Sequence, residues 1–478
     1  MNIRMIAQIL GRVLLIMAAL LLLPFVTGLV YAENILPFAV TIALTAAAGG
    51  ALLLLRPHSR EIYAREGFAA VGLSWLSMSL LGALPFVLSG DIPSFIDAFF
   101  ETASGFTTTG ASILNNVEGL SRAGLFWRSF THWIGGMGVL VFLMAVMPMS
   151  GERSMHIMRA EVPGPTVGKL VPRAKETARI LYLIYTGFTV IETVLLMCGG
   201  MSFYEALLHA FATAGTGGFS TRNASIAAFN SVYIETVIGV FLVLFGTNFN
   251  LFYLILIGRV REALRSEELH RYLEIIALCT ALIVLGTHRL YGVAQSLRHG
   301  FFIVMSTIST AGFCTQDYTR WPAWLQTMIV MLMFIGGCAG STGGGLKLSR
   351  VMLLIRTAAA DVGRVISPRR VNRVQMDGRR VTAETTGAVY SYTALVMLLL
   401  LFCTAVISLD GFDFTTNFTA ALSCVSNVGP GLGLVGPSGN YSIFSPLSKL
   451  VMAFTMLFGR LEIYAMLILF IPSAWKRR

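Results

Sequence analysis

Ten apolar stretches, each about as long as a bilayer-spanning helix, constrain this chain more than any other feature. Backbone polar groups in lipid must be satisfied internally, so such stretches form helices, and non-helical backbone survives only where protein buries it or water lines it. Charged residues make up 12% of the 478 residues, against roughly 25% in a soluble domain. We therefore predict an all-α integral membrane protein with spans at 9–30, 37–55, 67–89, 126–148, 178–200, 232–258, 272–291, 323–356, 385–409 and 447–473.

The charge distribution orients these spans. The net charge is +11, but 27 of the 35 Lys and Arg residues fall in alternate loops, as the positive-inside bias requires, so binding to nucleic acid is not indicated. An even number of spans returns the chain to its starting side, and we predict that both termini are cytoplasmic. The six cysteines show no metal-ligand spacing. No clustered acid/base pair, metal set or nucleophile elbow points to an enzyme.

Four short polar loops recur between these spans, each containing one glycine of a common type. The glycines are Gly110, Gly218, Gly312 and Gly429, at intervals of 108, 94 and 117 residues. Each loop lies between an outgoing and a returning span and therefore on the outer side. The apolar residues before the loops predict half-helices at 97–106, 205–214, 299–308 and 416–425. One such loop is more often a packing site of the GxxxG kind, but four in matched positions predict the quarters of one pore.

The loops carry the oxygens that a dehydrated cation needs. Rings of backbone carbonyls can replace an ion's water, and glycine lets a carbonyl point inward because it tolerates left-handed backbone angles. Only one glycine is common to all four loops, so we expect fewer ordered ion positions than in a tetrameric potassium channel. The predicted filter residues are Thr107, Thr108, Thr109, Gly110, Gly215, Thr216, Gly217, Gly218, Ser309, Thr310, Ala311, Gly312, Ser426, Asn427, Val428 and Gly429.

The long span 323–356 should break inside the membrane. It holds six glycines within 336–345, and each costs a helix about 1 kcal/mol against alanine. We expect the helix to resume near Leu346, below the third loop. A nucleotide-binding P-loop is excluded because Leu346 separates Gly345 from Lys347, where that motif needs adjacent Gly and Lys. A kink that allows close helix packing is the alternative.

Arg460 is predicted near the centre of the last span. An intramembrane arginine is costly and normally faces a cavity or a partner. Its five donors suit the unpaired carbonyls of segment 336–345. The alternative is an ion pair with a buried acid such as Glu192 or Glu235. Glu101 and Arg128 also lie near or within spans, and the sequence assigns them no role beyond packing or vestibule electrostatics.

Four longer motifs, together with the loops, resemble the TrkH/KtrB superfamily of potassium transporters. They are HWIGGMG at 132–138, GGCAGSTGGG at 336–345, NVGPGLG at 427–433 and FGRLE at 458–462. The resemblance covers residues from about 66 to the end. The additional helix pair at 1–56 is similar to the TrkH branch, because KtrB lacks that pair.

The resemblance implies a potassium pathway. It implies a single-chain pseudo-fourfold pore with K⁺ at the filter residues, and no organic cofactor on this chain. Related plant transporters with serine at the first filter glycine prefer sodium, so the four glycines here favour potassium. Segment 336–345 is expected to obstruct the pore. The expected gate residues are Gly336, Gly337, Gly340, Ser341, Thr342, Gly343, Gly344, Gly345, Lys347 and Arg460.

The resemblance also implies partners and a location. These are a lipid bilayer, a homodimer in the bacterial cytoplasmic membrane and a cytosolic nucleotide-binding regulatory subunit of the TrkA type. The expected function is potassium uptake through a gated, channel-like pore. The alternative is an ion-coupled symporter that alternates access through inverted repeats, which four outward-facing loops disfavour. The predicted organisation is a helix pair (1–60) followed by pore repeats at 61–150, 151–265, 266–360 (with the gate loop) and 361–478.

Overall fold

The computed structural model describes residues 1–55, 63–138, 174–367 and 374–475. Over these residues the chain is a bundle of helices with one short hairpin, whose strands Gln375–Met376 and Arg379–Arg380 pair antiparallel. Six helices are long and apolar enough to cross a membrane. The pair Val232–Gly246 and Phe249–Leu256, bent by 90°, adds a seventh if it is counted as one span.

The first helices form an antiparallel pair. Helices Ile3–Leu20 and Leu22–Val30 make one span that packs along Leu36–Leu53. The two backbones approach closely at Gly11 and Gly49, where an added Cβ on Gly11 would lie 2.7 Å from the Gly49 carbonyl oxygen. Small residues at a helix crossing allow this approach, which maximises van der Waals contact in lipid.

Four units follow, and each has an ascending helix, a short helix and a returning helix. The ascending helices are Ala64–Gly82 with Leu84–Ser89, Ala174–Cys198, Glu267–Tyr291 and Ala383–Ile407. The short helices, named short helix 1 to 4, are Phe95–Phe106, Phe203–Ala214, Val293–Ile308 and Phe414–Ser426. The returning helices are Arg122–Gly136, Val232–Gly246 with Phe249–Leu256 and Val260–Ala263, Ala323–Ile335 with Leu348–Ile366, and Pro446–Arg460 with Tyr464–Phe470 and Pro472–Trp475. Single 3₁₀ turns lie at Ser225–Phe229, Tyr318–Arg320, Ser408–Asp410, Gly433–Val435 and Tyr441–Ile443.

The short helices end at or within one residue of the predicted position, but they start earlier. Short helices 1, 2 and 4 begin two residues before the predicted start. Short helix 3, which starts at Val293, begins six residues before it. N-terminal caps explain three of these starts, since the side chains of Ser94, Ser202 and Asp413 accept the N–H groups of Asp97, Glu205 and Thr416. Asp97 and Glu205 therefore sit in the first helical turn, where the helix dipole favours negative charge.

The last span, predicted at 447–473, is broken near its centre, at the position predicted for Arg460. The helix ends at Arg460, and Glu462 and Ile463 take φ values of +54° and +61°. Left-handed residues cannot continue a right-handed helix. The span predicted at 323–356 does break as expected, at Gly336, whose φ is +71°. Of the span predicted at 126–148, residues 139–148 lie outside the described part of the chain.

Burial places the short helices at the centre of the molecule. Every residue of short helix 1 from Ala98 to Phe106 is buried. In contrast, only 28% of the most apolar window of Leu36–Leu53, or of Ala383–Asp410, is buried inside the protein. The long apolar helices therefore turn much of their surface to lipid, and the loops that follow the short helices lie in the protein interior.

Candidate functional site

The four loops share one backbone conformation. We number them loop 1 (107–111), loop 2 (215–219), loop 3 (309–313) and loop 4 (426–430). In each loop the glycine common to all four loops has a positive φ, of +79°, +80°, +75° or +102°. The residue two places earlier is also left-handed, with φ between +51° and +62°, at Thr108, Thr216, Thr310 and Asn427. The pattern of two left-handed residues is thus repeated at all four predicted positions.

A common backbone hydrogen bond ends each short helix before its loop. The backbone carbonyls of Ser104, Ala212, Ser306 and Ser423 accept the N–H group five residues on, at Thr109, Gly217, Ala311 and Val428, over 2.8–3.0 Å. This six-to-one bond, with a left-handed residue inside it, is the Schellman arrangement that ends many helices. It turns each chain sharply away from its short helix.

The loops form a closed ring. A Cβ added to Gly110 would collide with the Gly217 carbonyl oxygen of loop 2, and one added to Gly218 would collide with that of Ala311 in loop 3. The series closes through two further contacts. A Cβ on Gly312 would collide with the Val428 oxygen, and one on Gly429 would lie 2.6 Å from the Thr109 oxygen of loop 1. The glycines are therefore required by space as well as by φ, and four carbonyls occupy equivalent positions around the ring.

Most loop hydroxyls are already hydrogen-bonded to protein. The Thr107 hydroxyl bonds that of Thr109 at 2.7 Å, and the Asn427 amide donates to the Thr109 hydroxyl at 2.9 Å. The Thr310 hydroxyl accepts the Gly344 N–H at 2.7 Å. Among the described residues the buried Thr108 hydroxyl has no partner. The oxygens best placed to meet a cation are therefore mainly backbone carbonyls, with the hydroxyls bracing the ring.

The glycine-rich segment 336–347 lies against three of the four loops. Besides the Gly344–Thr310 bond, a Cβ on Gly343 would lie 2.7 Å from the Ser309 oxygen, and one on Gly344 would lie 2.6 Å from the Ser426 oxygen. The Thr342 hydroxyl meets the Thr216 hydroxyl of loop 2 at 3.4 Å. The segment contacts the third loop as predicted, but the helix resumes at Leu348 rather than near Leu346, because Lys347 takes a φ of +69°.

The break in the second returning helix supplies acceptors for this segment. Helix Val232–Gly246 ends in the membrane, which frees its last carbonyls. The N–H groups of Cys338 and Thr342 donate to the carbonyls of Gly246 and Phe245, at 2.9 and 3.2 Å. The backbone groups left unpaired by the two helix breaks, each costly if left without a partner, therefore hydrogen-bond to one another.

Arg460 bridges the segment to another helix end. One guanidinium nitrogen donates to the Thr342 carbonyl at 2.8 Å and to Gly343 at 3.3 Å, as predicted for a partner of this segment. The other donates to Gly135 at 2.8 Å and to Gly136 at 3.4 Å, at the end of helix Arg122–Gly136. Of the acids considered as alternative partners, Glu235 pairs with Arg298 at 2.6 Å instead.

Two further cations lie beside Arg460. The buried Lys347 ammonium folds back onto the Gly343 carbonyl. Arg350 pairs with Glu462 at 2.7 Å and lies over the ring of Tyr392. A cavity of about 40 Å³ adjoins this cluster, with room for only a few water molecules. The space beside Arg460 and Lys347 is therefore small and lined by basic side chains.

Comparison with known proteins identifies the family. A family model described as a cation transport protein, TrkH, matches residues 35–286 and 275–477. The chain belongs to the TrkH family. It is 36% identical to the Trk system potassium uptake proteins TrkH of Salmonella typhimurium and Escherichia coli, over the full length of each. It is 32% identical to TrkG of Escherichia coli, over 99% of both chains.

A solved structure agrees with this assignment. The crystal structure of the potassium transporter TrkH from Vibrio parahaemolyticus matches with a TM-score of 0.90 at 32% identity, covering all of both chains. The predictions of a helical, multi-pass membrane protein and of a transporter rather than an enzyme are confirmed. The roles of individual loop and segment residues stay predictions.

Glu268 is a residue of the candidate site that was not predicted from the sequence of this TrkH-family chain. This buried carboxylate, at the start of helix Glu267–Tyr291, accepts the N–H of Ala339 at 2.8 Å and that of Ser349 at 3.0 Å through one oxygen. It therefore holds both ends of the glycine-rich segment at one point. An acid in the first turn of a helix is ordinary in sequence, and its partners lie 71 and 81 residues away, so no local pattern reveals it.

Replacing Glu268 with alanine should loosen the segment. A hydrogen bond to a charged group contributes about 1.5–3 kcal/mol, so losing both should raise local opening at least tenfold. We expect the buried Cys338 thiol, next to Ala339, to react at least tenfold faster with a thiol reagent, as followed by peptide mass spectrometry. Glu268→Gln, which keeps an acceptor oxygen, is the matched control. Equal rates in the parent and Glu268→Ala would show that Glu268 does not hold the segment.

Proposed function

We propose that this chain is the potassium-conducting membrane subunit of a Trk-type uptake system. The observation that carries the proposal is the closed ring of four glycine loops with the glycine-rich segment packed against it. Its full-length relatives are named potassium uptake proteins, which supports potassium as the transported ion. Loops 1 to 4 act as the filter and segment 336–347 as the gate.

The geometry suggests how an ion would pass. A potassium ion enters from the outer side and exchanges its water for carbonyl oxygens of the ring, including those of Thr109, Gly217, Ala311 and Val428. Segment 336–347 then bars its way, and the charges of Arg460 and Lys347 oppose a cation there. Passage needs the segment to withdraw, which breaks the Gly344–Thr310 bond and the Arg460 bonds to Thr342 and Gly343.

Potassium-dependent growth tests the function. The chain should restore growth at low potassium when it is produced in a bacterium that lacks potassium uptake, together with the nucleotide-binding regulatory subunit that the family resemblance implies. Purified protein in liposomes should carry potassium down its gradient, with a reversal potential at the potassium equilibrium value. A reversal potential that shifts with an imposed proton or sodium gradient would instead favour the coupled symporter.

A soluble partner is the next prediction. The described soluble loops are too short to form a nucleotide-binding domain, which needs about 50 residues or more. The cytoplasmic hairpin 375–380 exposes Arg379 and Arg380 and is tied to the membrane helices, since Arg356 donates to the Gln375 carbonyl at 2.6 Å and Asp377 accepts the Glu267 N–H. We expect affinity purification from native membranes to recover a separate nucleotide-binding protein. Nucleotide-sensitive flux from liposomes that hold this chain alone would contradict this.

The assembly and location follow the family pattern. We infer a homodimer in the bacterial cytoplasmic membrane, with both termini cytoplasmic. The basic loop at 153–179, which supports this orientation, lies almost wholly outside the described residues.

A further inference from the structure

A buried ion pair stands directly behind loops 1 and 2. The Arg128 Nε donates to a Glu101 oxygen at 2.6 Å, and the two side chains are 4% and 0% exposed. Glu101 belongs to short helix 1 and Arg128 to the returning helix Arg122–Gly136. Taking two charges out of water is expensive, so such a pair adds little stability and is best explained by a positioning role.

Each member of the pair holds the exit of one loop. Glu101 accepts the backbone N–H of Ile113 at 3.0 Å and the hydroxyl of Ser112 at 2.9 Å, three and two residues after Gly110 respectively. Arg128 donates to the Ser220 carbonyl at 3.0 Å, two residues after Gly218. The pair therefore joins the exits of two neighbouring loops through three protein groups.

Two side chains of helix Arg122–Gly136 also pack against loop 2. The Arg128 guanidinium lies 3.6 Å from the centre of the Phe219 ring, and the His132 ring stacks on Phe219 at 4.1 Å. Arg128 and His132 are one turn apart, so they lie on one helix face. A Cβ on Gly217 would strike the His132 ring, so these side chains fill the space behind the loop.

The arrangement is specific to one junction of the ring. Counting back nine residues from each loop glycine, Glu101 corresponds to His209, Ile303 and Ala420. His209 keeps the hydroxyl contact, with its ring nitrogen 3.0 Å from the Ser220 hydroxyl, but it carries no paired arginine. Among the described ion pairs, this is the one in which both side chains hydrogen-bond to the exits of loops.

We propose that Glu101 and Arg128 are positioning residues that set the selectivity of the filter by locking loop 1 to loop 2. This inference rests on the proposed filter. A ring whose oxygens can move apart or together adapts to ions of different size, whereas a braced ring favours one size. Gly110 and Gly217 meet at the junction of loops 1 and 2. Loss of the Glu101–Arg128 pair would let the two loops move at this junction and would change the distance between their carbonyl oxygens.

The test compares ion preference, not activity alone. Glu101→Gln, Arg128→Met and the double variant are purified into liposomes, and potassium and sodium fluxes are measured in the same preparation. We expect each single variant to lower the potassium-to-sodium flux ratio at least tenfold. The double variant should match the singles, because the two residues act as one unit.

Two controls make the outcome decisive. The pair Arg298–Glu235 is also largely buried, on short helix 3 and the second returning helix, so Arg298→Met and Glu235→Gln test the general effect of breaking an ion pair. They should change the yield of folded protein and leave the flux ratio intact. Gly110→Ser reports on the filter itself. If Gly110→Ser changes the flux ratio while the Glu101 and Arg128 variants do not, the positioning role of Glu101 and Arg128 is refuted. If none of these variants changes the ratio, the assignment of the loops as the filter fails.

Discussion

Replacing Gly110 with serine should lower potassium-over-sodium discrimination at least tenfold, in a protein that still inserts. Gly110 has a φ of +79°, and its Cβ position is occupied by the Gly217 carbonyl oxygen of the next loop. A side chain there must displace a carbonyl that the account assigns to ion coordination. A tenfold change corresponds to about 1.4 kcal/mol, which a small shift of one oxygen can supply. The measurement is the ratio of potassium to sodium flux in liposomes.

A control substitution at Gly90 separates the effect of backbone strain from the effect of displacing a loop carbonyl. Gly90 has a φ of +81° with no atom within 4 Å of its Cβ position, so Gly90→Ser bears the same left-handed cost, about 1–2 kcal/mol, without the collision. It should leave the ion ratio unchanged. Gly218→Ser, Gly312→Ser and Gly429→Ser should behave like Gly110→Ser. If all four variants keep the parental ratio, the loops do not form a shared filter.

The second large effect is expected at Arg460. Arg460→Ala removes donors from Thr342 and Gly343 on the segment and from Gly135 and Gly136 on the neighbouring helix. A charge-assisted bond contributes about 1.5–3 kcal/mol, so losing even one should shift an open–closed balance tenfold or more. Potassium flux through purified protein should therefore rise at least tenfold.

Two companion variants sharpen this test. Arg460→Lys keeps the charge but not the fork that bridges two backbone segments, so its flux should fall between the parent and the alanine variant. Deleting Gly343 and Gly344 shortens the segment and should raise flux as well. If Arg460→Ala and the deletion both insert normally and conduct less than the parent, the segment is not the barrier, and a structural kink is the better interpretation.

Local features of the site could be predicted from the sequence. The four loops could be found because each holds a glycine at the same distance after an apolar stretch, and these glycines all have positive φ in the structure. Two of the four acceptors of Arg460, the carbonyls of Thr342 and Gly343, were also predictable, since six glycines within ten residues leave carbonyls in need of donors. These inferences depend on chemistry that is close in sequence or on one unusual residue.

Contacts between distant residues could not be predicted. Glu462 and Ile463 adopt left-handed angles with no glycine to signal the break after Arg460. Glu268 meets amides more than 70 residues away, and Arg128 meets Ser220 at a separation of 92. Each of these depends on how the four units pack together, which a single sequence does not specify.

Direct observation of ions tests the central claim most simply. Rubidium, a heavier congener of potassium, can be located by anomalous scattering in crystals of the protein. The account predicts rubidium within the ring, near the carbonyl oxygens of Thr109, Gly217, Ala311 and Val428, and a weaker signal there in Gly110→Ser. A ring without rubidium, at concentrations that saturate transport and with the ion bound elsewhere along the membrane, would contradict it.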